Sequence, residues 1–383
     1  MLIIKLIINK IRCVEKSFLE VLPLTAYISP ETREGRIMVH DAYKEAGVDI
    51  DAAMATKRSI KEAVRSTFGP EVLTDIGAFG GLFKPDFSGI ENPVLVSSAD
   101  GVGTKLKVAC MTGRHDTVGA DLVNHCCNDI LVMGARPLFF LDYLAYASHD
   151  DAMVNAVISG IARACRENGC ALVGGEMAEL PDVYHPGEYD LAGVIIGVVS
   201  ERRIFDGSRV ADGDSILGLG STGLHTNGYT LARKLVFRTA GFTPGDLFPG
   251  TGETVADVLL AVHRSYAPSM LPLLDNGGVH AMAHITGGGF CGNISRSLPE
   301  NLDAVIDLDS WEVPPVFRFM ERTGSLSENE LYRTFNMGIG LAVIVEKKSA
   351  PAIARSLRSS GEAVFEIGRI VQGSREVRLV HGA

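Results

Sequence analysis

Apolar residues recur at two different periods along this chain, and the change of period marks helices from strands. Over residues 49–67, Ile50, Ala53, Met54, Ile60 and Val64 recur at helical spacing with no internal proline, which predicts a helix. A glycine-rich loop with Gly77, Gly80 and Gly81 follows. Residues 93–98 form an apolar run that reads as a buried strand and ends in Asp100-Gly101-Val102-Gly103-Thr104-Lys105. Over 120–134 the period is helical again: Leu122, Cys126, Ile130 and Met133 make an apolar stripe. Asp121, Asn124, His125, Asn128 and Asp129 fall on the other side, and Gly134 and Pro137 stop the helix. A strand over 138–145, a helix over 152–168, a short strand over 170–173 and a long one over 191–199 complete the first half.

The second half opens near Glu201. Strands are expected over 215–219, 279–285, 335–345 and 364–370, and helices over 227–239, from about Phe290, and over 350–359. This mixture predicts an α/β (mixed α+β) architecture in both halves. Three segments result: an extension over 1–40, a first domain over 41–200 and a second over 201–383. Residues 1–11 are apolar but carry Lys5 and Lys10, too short and too charged to span a membrane. The extension is expected to lie outside the main fold, and Met38 is an alternative start.

Composition narrows the function. The net charge of −10 disfavours nucleic acid and anionic membrane as main partners. An anionic small substrate would need local help from metal ions, loop amides and helix starts. Seven cysteines with no C-x-x-C pair fit a reducing cytoplasm better than a disulfide framework, and adjacent Cys126 and Cys127 read as buried small hydrophobes.

No Walker-type phosphate loop occurs. Gly218, Gly220 and Gly223 match G-x-G-x-x-G, but the chain continues into Leu224-His225-Thr226-Asn227-Gly228 where a dinucleotide site needs a helix. Asp100 at a strand end can hold Mg²⁺, Gly101 and Gly103 let backbone amides approach phosphate, and Lys105 supplies a point charge. The bland alternative is an Asp-Gly turn beside a surface lysine. Asp121, His125 and Asp129 at i, i+4, i+8 line one helix face, which is either a functional stripe or a solvated surface. Glu176 beside Gly174-Gly175 is a metal-ligand candidate or an ordinary turn carboxylate. The loops at His225-Thr226-Asn227-Gly228 and at His284-Ile285-Thr286-Gly287-Gly288-Gly289 each lead into a helix and could receive a phosphate, unless their histidines are structural.

Taken in order, these strings resemble the phosphoribosylformylglycinamidine cyclo-ligase family, also called aminoimidazole ribonucleotide synthetases. The resemblance runs from about Tyr43 to Val380. It rests on residues 43–51, 100–105, 174–181, 222–229, 284–290 and 332–336. It implies two domains, with the N-terminal sheets of a homodimer forming a barrel flanked by C-terminal α/β domains. It also implies ATP and Mg²⁺, in a cleft partly covered by residues 49–81. By position, Lys61, Gly80, Gly81, Asp100, Gly101, Gly103, Thr104, Lys105 and Asn227 are assigned to the nucleotide; Asp100, Asp129 and Glu176 to metal; His225 and His284 to catalysis. Met177, Leu224 and Gly292 depart from the pattern, which has Thr, Pro and Glu there.

The implied reaction is ring closure of formylglycinamidine ribonucleotide to aminoimidazole ribonucleotide, in the cytoplasm and without nucleic acid or membrane. ATP activates the formamide oxygen as an iminophosphate, a neighbouring nitrogen attacks, and phosphate leaves. The rivals are other ATP-using relatives, such as thiamine monophosphate kinase or selenophosphate synthetase, and a non-catalytic nucleotide-binding regulator. Selenophosphate synthetases usually carry a reactive Cys in the glycine loop, and residues 75–83 have none.

Overall fold

Helical and extended periods resolve into two sheets in the computed structural model, which describes residues 42–275 and 277–382. The expected extension therefore lies outside the described residues. The first sheet contains β1 (Pro93–Gly101), β2 (Arg136–Tyr146), β3 (Ala171–Glu179) and β4 (Tyr189–Ser200), in the order β1-β4-β2-β3. β4 runs antiparallel to both its neighbours, and β2 and β3 are parallel. The helix Asp151–Glu167 makes the crossover that a parallel pair requires. Asp150 caps it, its carboxylate accepting from the amides of Ala152 and Met153.

The second sheet contains β5 (Ser215–Gly220), β6 (Val279–His284), β7 (Leu302–Asp307), β8 (Ile339–Val345), β9 (Val364–Gln372) and β10 (Val377–Val380). Its order is β10-β7-β9-β5-β8-β6, antiparallel throughout except for the pair β10/β7. β8 is buried at every residue, because helices and loops cover both its faces.

The helix Val118–Leu131 lies between the halves. Only Asp129 among its residues is not fully buried. Its apolar stripe packs on the first sheet, with Leu122 and Ile130 close to Gly193 and Gly197 of β4. Its polar stripe faces the second half rather than water, and each buried group finds a partner there, as such groups must. The amide of Asn124 donates to the His263 carbonyl at 2.7 Å, and that of Asn128 donates to the Arg264 carbonyl at 2.8 Å. The Asn128 Oδ1 accepts from the Tyr266 amide at 2.9 Å.

Several elements differ from the sequence expectation. The strand read as buried over 93–98 is exposed or half-buried at every residue, the short strand over 170–173 runs from Ala171 to Glu179, and β7 and β10 had no counterpart. The helix over 49–67 is split into Ile50–Ser59 and Lys61–Arg65, and the break turns Ile60 and Val64 into the core. The second part of the helix over 227–239 widens to a π-helix, Lys234–Thr239. The strand over 335–345 starts only at Ile339, because Met337 and Gly338 have φ of 50° and 101° and turn the chain.

Candidate active site

The end of β1 meets the polar stripe of Val118–Leu131 and the loops before and after β6. Asp100 is the last carboxylate on β1. Its Oδ1 accepts from the Gly101 amide at 2.7 Å, and its Oδ2 lies 2.8 Å from His125 Nε2. Asp129, one turn beyond His125, pairs with His284 Nδ1 at 2.8 Å and accepts from the Ser98 hydroxyl at 3.1 Å. Each carboxylate is thus backed by one imidazole, and both keep part of their surface open, 40% for the Asp100 side chain and 28% for Asp129. Burial alone would raise both carboxyl pKa values. Hydrogen bonds and positive charge from His125 and His284 outweigh it and hold both below the ordinary range.

The four junction histidines sit in low-dielectric surroundings. His125 Nδ1 lies 2.7 Å from the Thr226 hydroxyl. Burial opposes its charge, yet Asp100 and Asp129 win and its pKa is raised. His225 takes a left-handed backbone, φ 60°, and its ring stacks on His263 at 4.0 Å and 21°. Gly340 of β8 leaves room for it, since a Cβ there would lie 2.5 Å from His225 Cε1. Burial, then the charges of His284, Lys105 and His125, hold the His225 pKa well below the ordinary value. Its Nδ1 is buried without a protein partner, as is the Asn227 side-chain Nδ2. His284 has both ring nitrogens engaged, Nδ1 by Asp129 and Nε2 by His263 at 3.0 Å. The structure therefore brings His225 and His284 to the site but sets both behind its surface.

Lys105 departs from the expectation of a phosphate contact. Its ammonium is fully buried, lies 2.9 and 2.8 Å from the two Asp121 oxygens, and donates to the carbonyls of Ala261 at 2.6 Å and His225 at 3.3 Å. Burial pushes the Lys105 pKa down and the Asp121 pKa up, and their mutual attraction opposes both shifts. All its protons are directed at protein oxygens, so Lys105 pins the two halves together instead of facing an opening. Glu176 is also set apart. It is exposed on the edge strand β3, three strands from β1, on the order of 14 Å at a ~4.8 Å strand spacing. In the single chain the carboxylates that converge are Asp100 and Asp129.

The remaining nucleotide candidates ring this junction or lie on the N-terminal arm. Gly101 and Gly103 flank the turn after β1, and the Thr104 hydroxyl is exposed, 2.9 Å from that of Thr230. The glycines at 287–289 end against the helix Gly289–Ile294, where a Cβ on Gly289 would lie 1.7 Å from the Tyr332 carbonyl oxygen. Gly292 faces open space, and Leu224 is buried in the core. Lys61 pairs with Asp75 at 2.8 Å, and Arg65 pairs with the same carboxylate. Gly81 packs on β3, where a Cβ would lie 2.7 Å from the Val173 carbonyl oxygen, and Gly80 has open space around it. Sequence reasoning missed His263, which no motif or glycine turn marks. Its only signal is a histidine beside the apolar helix Val255–Leu260.

Two triads, the buried His225/His263/His284 and the partly open His125/Asp129/His284, bring ligand-type atoms within 4.8 Å of one another. The first does not suit a metal ion. The near-parallel stack of His225 on His263 keeps their in-plane lone pairs from converging on one point. The second shares Asp129 with the opening. The hard oxygen donors at that opening are the two ionised carboxylates, which is the donor type Mg²⁺ takes.

Two sheets joined through the helix Val118–Leu131, with carboxylate–histidine pairs opening at the junction, have the AIR synthase type of fold. The match to "AIR synthase related protein, N-terminal domain" spans residues 88–199, and that to the C-terminal domain spans 211–381. A crystal structure of thiamine-monophosphate kinase from Stenotrophomonas maltophilia K279a shares the fold with a TM-score of 0.61 at 20% identity, over 87% of this chain and 97% of that one. Phosphoribosylformylglycinamidine cyclo-ligase from Citrifermentans bemidjiense is 50% identical over 86% of this chain and 95% of its own length. The protein of that name from Geobacter metallireducens is 49% identical over 88% and 98%. The chain belongs to the phosphoribosylformylglycinamidine cyclo-ligase family.

Proposed function

We infer that this chain closes formylglycinamidine ribonucleotide to aminoimidazole ribonucleotide in an ATP-dependent step of purine biosynthesis. One observation carries the reading: about half of the aligned residues are identical in cyclo-ligases, and the alignments span nearly the whole length of those proteins. The alternative relatives share the fold at only 20% identity or below.

The site supports a division of labour. Asp100 and Asp129 would hold Mg²⁺, which would supply neutralisation of phosphate charge when bound with ATP. The two carboxylates suit that role because both are ionised, partly open, and fixed from behind by imidazoles. Gly101, Gly103 and Thr104 supply the backbone and hydroxyl donors next to them. Asn227 offers a buried amide with no protein partner to the substrate side, and Lys61, Gly80 and Gly81 bring the arm to the nucleotide. His225 and His284 act from behind the surface, His284 by holding Asp129 and His225 through its unpaired Nδ1. Ring closure replaces the formamide oxygen, a poor leaving group, by phosphate, a good one. Protein assistance is then mainly positioning and charge neutralisation.

The assembly is proposed as a homodimer. One face of the first sheet is apolar and uncovered: Leu95 and Tyr143 are exposed, and Phe139, Leu141, Val194 and Ile196 are half-buried beside them. Such a face favours a second copy. No described helix is long and apolar enough to cross a membrane, and the reaction is assigned to the cytoplasm on the strength of the pathway.

The test is direct. Purified chain with Mg²⁺, ATP and formylglycinamidine ribonucleotide should release ADP, phosphate and aminoimidazole product in equal amounts, without glutamine or ammonia. ADP release that requires either nitrogen source would overturn the reading. Oxygen-18 in the formyl group should appear in the released phosphate if the iminophosphate forms.

A further inference from the structure

Four imidazoles meet at the junction, and only His263 has ring contact with the other three, at centroid distances of 4.0 Å to His225, 5.1 Å to His284 and 5.2 Å to His125. It is fully buried and touches neither carboxylate. Its hydrogen bonds nevertheless complete a circuit. His284 Nδ1 donates to Asp129 at 2.8 Å. Only one proton fits between the Nε2 atoms of His284 and His263, 3.0 Å apart. Whichever ring supplies it, the bond ties His263 to His284. On its other side His263 Nδ1 lies 3.3 Å from the Thr226 hydroxyl, within hydrogen-bond reach. Thr226 in turn accepts from His125 Nδ1 at 2.7 Å, and His125 Nε2 reaches Asp100 at 2.8 Å. Asn128 Nδ2 also lies 3.3 Å from His263 Nε2, but its shorter bond goes to the Arg264 carbonyl at 2.8 Å.

We propose that His263 is a positioning residue that locks the dyads Asp100–His125 and Asp129–His284 into one hydrogen-bonded chain and so fixes both open carboxylates relative to each other. The proposal rests on the reading of Asp100 and Asp129 as the groups that face Mg²⁺ and phosphate. The carboxylates and His125 belong to the first half, whereas Thr226, His263 and His284 belong to the second. Asp129–His284 already crosses between the halves, so without His263 the His284 ring would keep only its bond to Asp129, and that dyad could shift relative to Asp100. Losses of such supporting contacts typically cost about 10–100-fold in ion affinity or activity.

Side-chain length gives a selective test. Gln places its amide near the position of His Nε2 and can still donate to His284, whereas Asn reaches only the Nδ1 position. His263→Asn and Thr226→Val should each raise the Mg²⁺ concentration needed for half-maximal turnover by about 10–100-fold, with the KM for ATP at saturating Mg²⁺ unchanged. His263→Gln should recover most of that loss. Thr226→Val keeps the packing and His263 itself, so it covers the case in which His263→Asn fails to fold. Two readouts do not depend on turnover. In full-length chain labelled with ¹⁵N-histidine, a scalar coupling should cross the hydrogen bond between the Nε2 atoms of His263 and His284. Mn²⁺ affinity measured by electron paramagnetic resonance should fall in His263→Asn and Thr226→Val. Wild-type Mg²⁺ dependence and Mn²⁺ affinity in folded His263→Asn or Thr226→Val would overturn the proposal, as would absence of the coupling. A wild-type chain that binds Mn²⁺ and shows the coupling but closes no ring would overturn the functional reading and leave this one standing.

Discussion

The junction between the halves and the arm over 61–83 both carry residues assigned to the nucleotide, yet they are built in opposite ways. At the junction nearly every polar group is buried and bonded to a residue more than a hundred positions away, as in Lys105 to Ala261 and His284 to Asp129. On the arm, Thr67 and Ser66 accept from Leu172 and Arg166, but the bonds around Lys61 and the glycine loop are local and open to water: Arg65 to Asp75, Asp75 to Lys61, Thr74 to Leu82. Apolar side chains there are exposed too, with Leu73 and Leu82 each at 58% and Phe79 fully open. The junction is preorganised by the fold, so its geometry should resist change until a buried partner is removed. Apart from Val64 and Gly81, which pack inward, the arm's exposed residues make few contacts within the chain, so single substitutions at them should hardly affect folding.

The largest expected effect breaks the junction outright. Lys105→Met leaves Asp121 buried without its partner and should cost about 3–5 kcal/mol of stability, read from the urea midpoint. A change below about 1 kcal/mol would place this pair in the same class as the arm's exposed ones and erase the contrast. Next, Asp129→Asn or Asp100→Asn keeps shape but removes charge. Each should lower Mg-ATP turnover by on the order of 10²-fold, through lost stabilisation of developing phosphate charge. Thermal stability should fall far less than in Lys105→Met, and turnover like the wild type in either variant would refute the metal assignment.

Acidification should also separate the two regions. The folded pKa values of His225 and His263 are depressed, mainly by burial. A depressed group stabilises the fold fully above its unfolded value, near 6.5, and the contribution is lost as pH falls from there towards the folded value. His125 is shifted upward, so its stabilising contribution is fully present below about pH 6.5 and is lost only as pH rises above that value. His284 is depressed in the same way as His225 and His263, so each of these three should lower stability by up to roughly 1.4 kcal/mol per pH unit below about pH 6.5. Denaturant midpoints between pH 7.5 and 5.5 that do not move would show that the imidazoles charge freely in the folded chain. The smallest effect belongs to the arm: Lys61→Ala removes an exposed ion pair and should change stability by less than about 1 kcal/mol. If it raises the KM for ATP at the same time, the arm contributes to nucleotide binding and not to the fold.

Much of the architecture was legible because it is local. The helix Ala350–Ser359 follows from its apolar spacing, and β5 and β6 follow from short apolar runs bounded by turn residues. β7 and β10 were missed, since their strand character depends on pairing with each other and with β9. The stripe Asp121, His125, Asp129 was legible as one helix face, but not whether that face met water or protein. The family resemblance brought Asp100 and Asp129 to the same site, whereas the burial of Lys105 and the remoteness of Glu176 could not be read from any string.

What the sequence determined by itself is what the backbone periods encode: which side chains share a face, where glycine and proline end an element, and which carboxylate stands at the end of a strand. Those features depend on residues within a few positions of one another. The tertiary structure decided which faces meet. It buried the polar stripe of Val118–Leu131 against the loop at His263–Tyr266, turned Lys105 towards Asp121 and two carbonyl groups, and drew His263, unmarked in the sequence, between the two carboxylate–histidine pairs. The physical reason is the cost of burial. A polar group leaving water must find a partner wherever the chain path provides one, and that partner lies 155 residues away for His284 and Asp129.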